Sequence, residues 1–167
     1  MGVQKRVNKR LPYFNLFQRA TLTAVGICYT LGFVYVCFFA RRRWGFLPSR
    51  HLNLQLFREK IQFWQSIALH TRPERIEFYK DFIGNIILFI PLPFLLFYFF
   101  GVKTFSRLLL FSIASSVLVE TVQYILNIGV ADIDDVFLNT IGALLGILIL
   151  FGFFRSNDRY DAALKTV

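Results

Sequence analysis

Negative charge is scarce in this chain, and so is most of what builds a catalytic surface in water. Its 167 residues include 10 Asp and Glu against 19 Lys and Arg, with 2 His and 2 Cys. The histidines, His51 and His70, lack the Cys or second-His spacing of a zinc site. No Ser or Cys adjoins a His in a nucleophilic triad, and no Gly-rich loop suits a phosphate. Cys28 and Cys37 lie in one apolar run, on roughly opposite faces of a helix, which excludes a bridge within that helix.

Charge as a whole is also sparse. Only 17 % of the residues are charged, while 56 % are hydrophobic, 18 % are aromatic and the mean hydropathy is +0.53. That composition is too apolar for an ordinary soluble domain, and the chain is too short for a large transporter. It predicts one small integral membrane domain. The net charge of +9 comes from basic residues gathered outside the apolar runs, chiefly in residues 1–19 and 41–80. Such flanks meet anionic headgroups, so membrane lipids are the expected partners. Nucleic acid is not, because no nucleic-acid-binding fold surrounds these residues.

Four apolar runs are long enough to cross a bilayer, which needs roughly 20 residues per helix. They cover residues 20–40, 82–100, 108–126 and 136–154. The predicted fold is therefore an all-α integral membrane protein, a small bundle of four transmembrane helices. A basic segment, residues 1–19, precedes the membrane domain of residues 20–154, and a polar tail, residues 155–167, follows it. The first run exceeds a signal-peptide core and lacks a small-residue cleavage site before Arg41, Arg42 and Arg43, so it is expected to stay as a helix.

The longest polar stretch joins the first two runs. Within it Leu52, Leu56, Phe57, Ile61, Trp64, Ile67 and Ala68 recur at helical spacing, with Arg58, Glu59, Lys60, Gln62 and Gln65 between them. This predicts an amphipathic interfacial helix, lying either among the headgroups or across the bundle mouth. The later connections are short, which makes the last three helices an antiparallel series. With the amino terminus inside, ten basic residues lie inside and nine outside. The acid-rich residues 127–135, free of Lys and Arg, favour placing that loop outside and both termini in the cytoplasm.

Polar groups within these runs are the candidates for function, because an amide or acid in hydrocarbon is costly to keep. Glu120 lies well inside the third run, and Gln123 shares its helix face. So deep a carboxyl is a candidate acid, base or cation ligand; alternatively it locks helices together. At the fourth run, Asp135, Asn139, Gly142 and Gly146 form one stripe, polar above and smooth below. The G-x-x-x-G of Gly142 and Gly146 allows close helix packing. Glu120 and Asp135 are the catalytic candidates, and Asn85, Gln123, Asp132, Asp134 and Asn139 the ligand-binding ones.

Asp132, Asp134 and Asp135 invite two readings. Helix capping and the amino-terminal dipole account for one or two of them. Three within four residues make an electronegative mouth suited to a divalent or organic cation, although the later ligands of an EF-hand are missing. In the second run Asn85 needs a partner, most simply Glu120 or Asn139. Pro91 and Pro93 remove backbone donors and predict a kink near mid-membrane, a packing feature that also frees carbonyls.

Asn85 with Phe89 and Pro91, Glu120-x-x-Gln123, and ADIDDVFLNTIGALLG from Ala131 to Gly146 occur in order on three consecutive helices. Together they resemble the VanZ-like family of small bacterial membrane proteins, and residues 50–64 resemble that family's first connection. Family members commonly carry an Arg shortly before the Asp-rich motif, where this chain has Gly129 and Val130. The resemblance implies a protein of the bacterial plasma membrane associated with low-level resistance to teicoplanin and related glycopeptides.

Three functions fit this reading. In the first, Asn85, Glu120, Gln123, Asp135 and Asn139 converge on an outward-opening cavity, with Asp132 and Asp134 at its mouth, for a polar headgroup, a cell-wall precursor fragment or a glycopeptide-related ligand. The second is a membrane enzyme with Glu120 as general base and the aspartates around a divalent ion. The third is a proton-coupled transporter or an assembly subunit.

Overall fold

The computed structural model describes residues 15–40 and 52–164, with side chains through Phe153. The first part of the basic segment, the arginine cluster with His51, and the last three residues of the tail lie outside the described residues.

Helix α1 (Leu16–Tyr35) opens on a capping box. The Asn15 side chain accepts from the Gln18 amide at 2.8 Å, and the Gln18 side chain accepts from the Asn15 amide at 3.0 Å. It continues as a π-helical turn over Val36–Ala40. A two-residue strand, β1 (Leu52–Asn53), leads to α2 (Arg58–Gln65) and a 3-10 turn over Ile67–Leu69. Four helical stretches, Leu16–Ala40, Arg72–Phe99, Phe105–Leu126 and Ile133–Phe153, have the length and hydropathy to cross a membrane.

The second crossing starts ten residues earlier than the apolar run. Thr71 and Glu74 form a capping box and Pro73 occupies the first turn, so α3 (Arg72–Phe89) nucleates in polar sequence before it becomes hydrophobic. The helix then breaks at Ile90 and Pro91 and resumes as α4 (Leu92–Phe99). This is the expected proline kink. The Leu88 carbonyl, next to the break, accepts the Tyr29 hydroxyl of α1 at 2.9 Å.

Helix α5 (Phe105–Leu126) ends where Asn127 takes the left-handed conformation (φ 53°) and the Ile128 amide reaches back to the Gln123 carbonyl at 3.1 Å. Asn tolerates that conformation, and the chain turns sharply into β2 (Ala131–Asp132) and α6 (Ile133–Leu164). Helix α6 thus begins three residues before the apolar run, and its backbone carries helix into the polar tail.

Helix α6 is the central element, packing against α3, α4 and α5. Its smooth stripe explains how. A Cβ on Gly142 would stand 2.1 Å from the Ile86 carbonyl oxygen, and one on Gly146 2.1 Å from that of Ile90. Only hydrogen lets α3 come this close. Below lies the apolar core of Phe89, Leu92, Leu96, Phe97, Leu108, Ile147 and Leu150. Helix α1 is peripheral, with an exposed outer face of Leu16, Val25, Ile27 and Leu31 that suits lipid.

Strands β1 and β2 pair in parallel, Leu52 with Ala131 and Asn53 with Asp132. This short ladder ties the first connection to the α5–α6 loop. Both therefore lie at one end of the bundle, above the polar residues of α5 and α6.

Candidate functional site

The site has two levels. At the upper level Lys60 projects from α2 into the three aspartates. Its Nζ lies 3.2 Å from Asp132 Oδ2, 3.2 Å from Asp134 Oδ2 and 3.5 Å from Asp135 Oδ1. All four side chains are largely buried, and Asp134 is completely so. Burial works against the ammonium charge, but Asp135 and Asp132, joined by Asp134, outweigh it and hold the Lys60 pKa above its ordinary value.

Asp134 also positions the helix that carries its own counter-ion. Its Oδ1 accepts the Phe57 amide at 2.5 Å, where Phe57, at φ 56°, is left-handed at the start of α2. A bulky residue rarely adopts that conformation. The carboxylate and the edge-to-face packing of the Phe57 ring on Phe137, at 5.2 Å, hold it there. Asp132 Oδ1 accepts both the Asp134 amide at 2.9 Å and the Asn53 side chain at 3.3 Å. The aspartates therefore hold the loop, the strand pair and α2 together.

The lower level begins where the Asp132 amide donates to Glu120 Oε2 at 3.0 Å. Glu120 is buried and lines a small cavity with Asn85, Gln123 and Asn139, walled by Val36, Cys37, Leu88, Phe89 and Val119. Its volume, about 10 Å³, is the space of one water molecule. Gln123 donates through Nε2 to the Cys37 carbonyl in the π-helical turn at 2.7 Å, joining α5 to α1. Asn139 donates through Nδ2 to Ser116 Oγ at 2.8 Å, joining α6 to α5.

Four of the five residues expected around one cavity meet there: Asn85, Glu120, Gln123 and Asn139. Asp135 does not line it. One turn above Asn139, it joins Asp132 and Asp134 around Lys60. Gly142 and Gly146 lie against the backbone of Ile86 and Ile90, and Pro91 stands at the break between α3 and α4. Among the described residues, no group of three or more His, Cys, Asp or Glu has a metal-holding arrangement. The three aspartates surround the Lys60 ammonium group.

A family model described as VanZ/LLP1 matches residues 26–155, which contain every residue of both levels. The chain belongs to the VanZ/LLP1 family. It is 38 % identical over 69 residues to Protein VanZ of Enterococcus faecium, covering 41 % of this chain and 43 % of that protein. The match thus spans less than half of that relative. No solved structure matches the chain.

In this VanZ/LLP1 chain, with Gly129 and Val130 before the acidic motif, the cation beside Asp132 comes from Lys60, 72 residues away. Periodicity puts Lys60 on the polar side of α2 but cannot say that this side faces protein. The available signal was charge accounting: three aspartates in a loop without Lys or Arg require a cation from elsewhere. Ser116 and the Cys37 carbonyl carry no comparable mark in the sequence. A hydroxyl in an apolar run satisfies its own helix as readily as a partner, and a backbone acceptor leaves no mark in sequence.

Proposed function

We propose that this VanZ/LLP1 protein acts in the bacterial plasma membrane to lower sensitivity to teicoplanin-like glycopeptides, through a site formed by the Lys60–aspartate mouth and the Glu120 cavity. Its ligand is an envelope component, either a polar lipid headgroup or a cell-wall precursor fragment, or a glycopeptide-related molecule. The supporting observation is the continuous polar path from Lys60 through Asp132 to Glu120. A purely structural bundle gains little from such a path, since each buried polar group costs desolvation.

The size of the cavity shapes this reading. A space of about 10 Å³ admits none of these ligands whole. The ligand therefore sits at the mouth, between α2 and the α5–α6 loop, and presents at most one small polar group to Glu120. With both termini cytoplasmic, that mouth faces outward, towards the cell wall. A divalent ion would have to displace Lys60, so the lysine serves as the resident cation.

The test is resistance in a susceptible host. Glu120→Gln and Asp135→Asn should each abolish protection while membrane abundance stays at the parental level. Protection retained by both variants would refute the proposal.

A further inference from the structure

Asn139 is 3 % exposed, and its Oδ1 has no hydrogen-bond partner among the described residues. Its Nδ2 is satisfied by Ser116, so half of the amide is bonded and the other half is left over. A buried acceptor without a donor has lost its hydration with nothing in return. Native interiors rarely keep such a group unless something small completes it. Asn139 lines the cavity beneath Asp132, where Glu120 and Gln123 supply further polar groups.

Three properties define what belongs there. The volume, about 10 Å³, limits the occupant to one heavy atom of water size. The Asn139 oxygen demands a donor. The neighbouring carboxyl and amides offer the two to four polar partners that a buried water normally has. A cation small enough for the space could coordinate the Asn139 oxygen but not the amide nitrogen, since it only accepts lone pairs. Water both donates and accepts, so it completes the Asn139 amide whichever of its ends faces the cavity.

We propose that a single ordered water occupies this cavity, bridging the Asn139 amide and the Glu120 carboxyl. The site thereby hydrates an acid held inside the membrane. It extends the polar path by one step, from Lys60 and Asp132 through Glu120 to Asn139 and Ser116 on the α5–α6 interface. It also defines the one position where a hydroxyl of a larger molecule can replace water. The inference stands whether or not the chain protects against glycopeptides.

The test is infrared difference spectroscopy of the purified full-length protein in nanodiscs, comparing H₂¹⁶O with H₂¹⁸O. The parent should show the isotope-shifted O–H stretch of one ordered water, moved to lower frequency than a free O–H by its bonds to the Asn139 amide and the Glu120 carboxyl. Asn139→Leu removes the amide at nearly constant shape and should erase the band. If that variant does not fold, Val119→Leu adds bulk to the cavity wall, leaves the amide intact, and should erase the band as well. No isotope-shifted band in the parent, or its retention in a folded variant, overturns the proposal.

Discussion

Lys60 Nζ and Asp134 Oδ2 stand 3.2 Å apart, although 74 residues separate them in the chain. The contact joins the helix outside the membrane spans to the first turn of the last transmembrane helix. Asp134 is fully buried and also receives the Phe57 amide. A buried pair that loses one member leaves an uncompensated charge, at a cost of about 3–5 kcal/mol. Lys60→Met should therefore destabilise the protein by about 3 kcal/mol, at the low end of that range because Lys60 is 14 % exposed. Chemical unfolding in detergent measures it, and a change under about 1 kcal/mol would mean the clasp contributes no more than a surface pair.

The same contact fixes a pH dependence. The Lys60 pKa lies above the ordinary 10.5, so the lysine binds its proton more tightly when folded than when unfolded. Its contribution is fully present below the unfolded value and is lost as pH rises through the folded value. Stability due to Lys60 should be level from neutral pH to about 9, then fall only at strongly alkaline pH. The alkaline component should vanish in Lys60→Met; its survival there would assign it to another group.

Close approach of α3 and α6 yields a sharper contrast. Ala at Gly142 or Gly146 places a methyl group 2.1 Å from a carbonyl oxygen of rigid backbone, so the helices must separate. Overpacking of this kind costs about 1–3 kcal/mol or more. Gly152, where nothing lies within 4 Å of an added Cβ, is the internal control. Thermal unfolding should show a clear loss for Gly142→Ala and Gly146→Ala and almost none for Gly152→Ala. Equal effects would show that the stripe does not face α3.

Gln123 makes a long-range side-chain link to the π-helical turn of α1 through the Cys37 carbonyl. Gln123→Leu removes this donor, a loss of about 1 kcal/mol for one hydrogen bond. The turn should loosen. In a Cys28→Ser background, Cys37, 6 % exposed in the parent, should react several-fold faster with a membrane-permeant maleimide. An unchanged rate would show that the turn is held by packing alone.

These contacts also mark what the sequence could disclose. The four spans, the break at Pro91 and the glycine stripe are local: each follows from hydropathy, a missing amide or a missing side chain within one or two turns. Asn85, Glu120, Gln123 and Asn139 were visible because an amide or acid in an apolar run has few other reasons to be there. Asp135 was harder, since helical spacing aligns it with Asn139 without saying at which depth the protein interior ends. Lys60 was hardest. Its partners lie across a fold in which a two-residue strand pair, Leu52–Asn53 on Ala131–Asp132, sets the register, and two residues carry no strand pattern.

In the function proposed above, the Lys60 mouth and the Glu120 cavity work as one site. The most direct test is a glycopeptide-susceptibility assay on cells expressing Lys60→Met, Glu120→Gln or Gly152→Ala at matched membrane abundance. The first two should lose protection together, each becoming as sensitive as cells without the protein, while Gly152→Ala protects like the parent. Full protection by Lys60→Met alongside its loss in Glu120→Gln would contradict the claim, by separating the two levels.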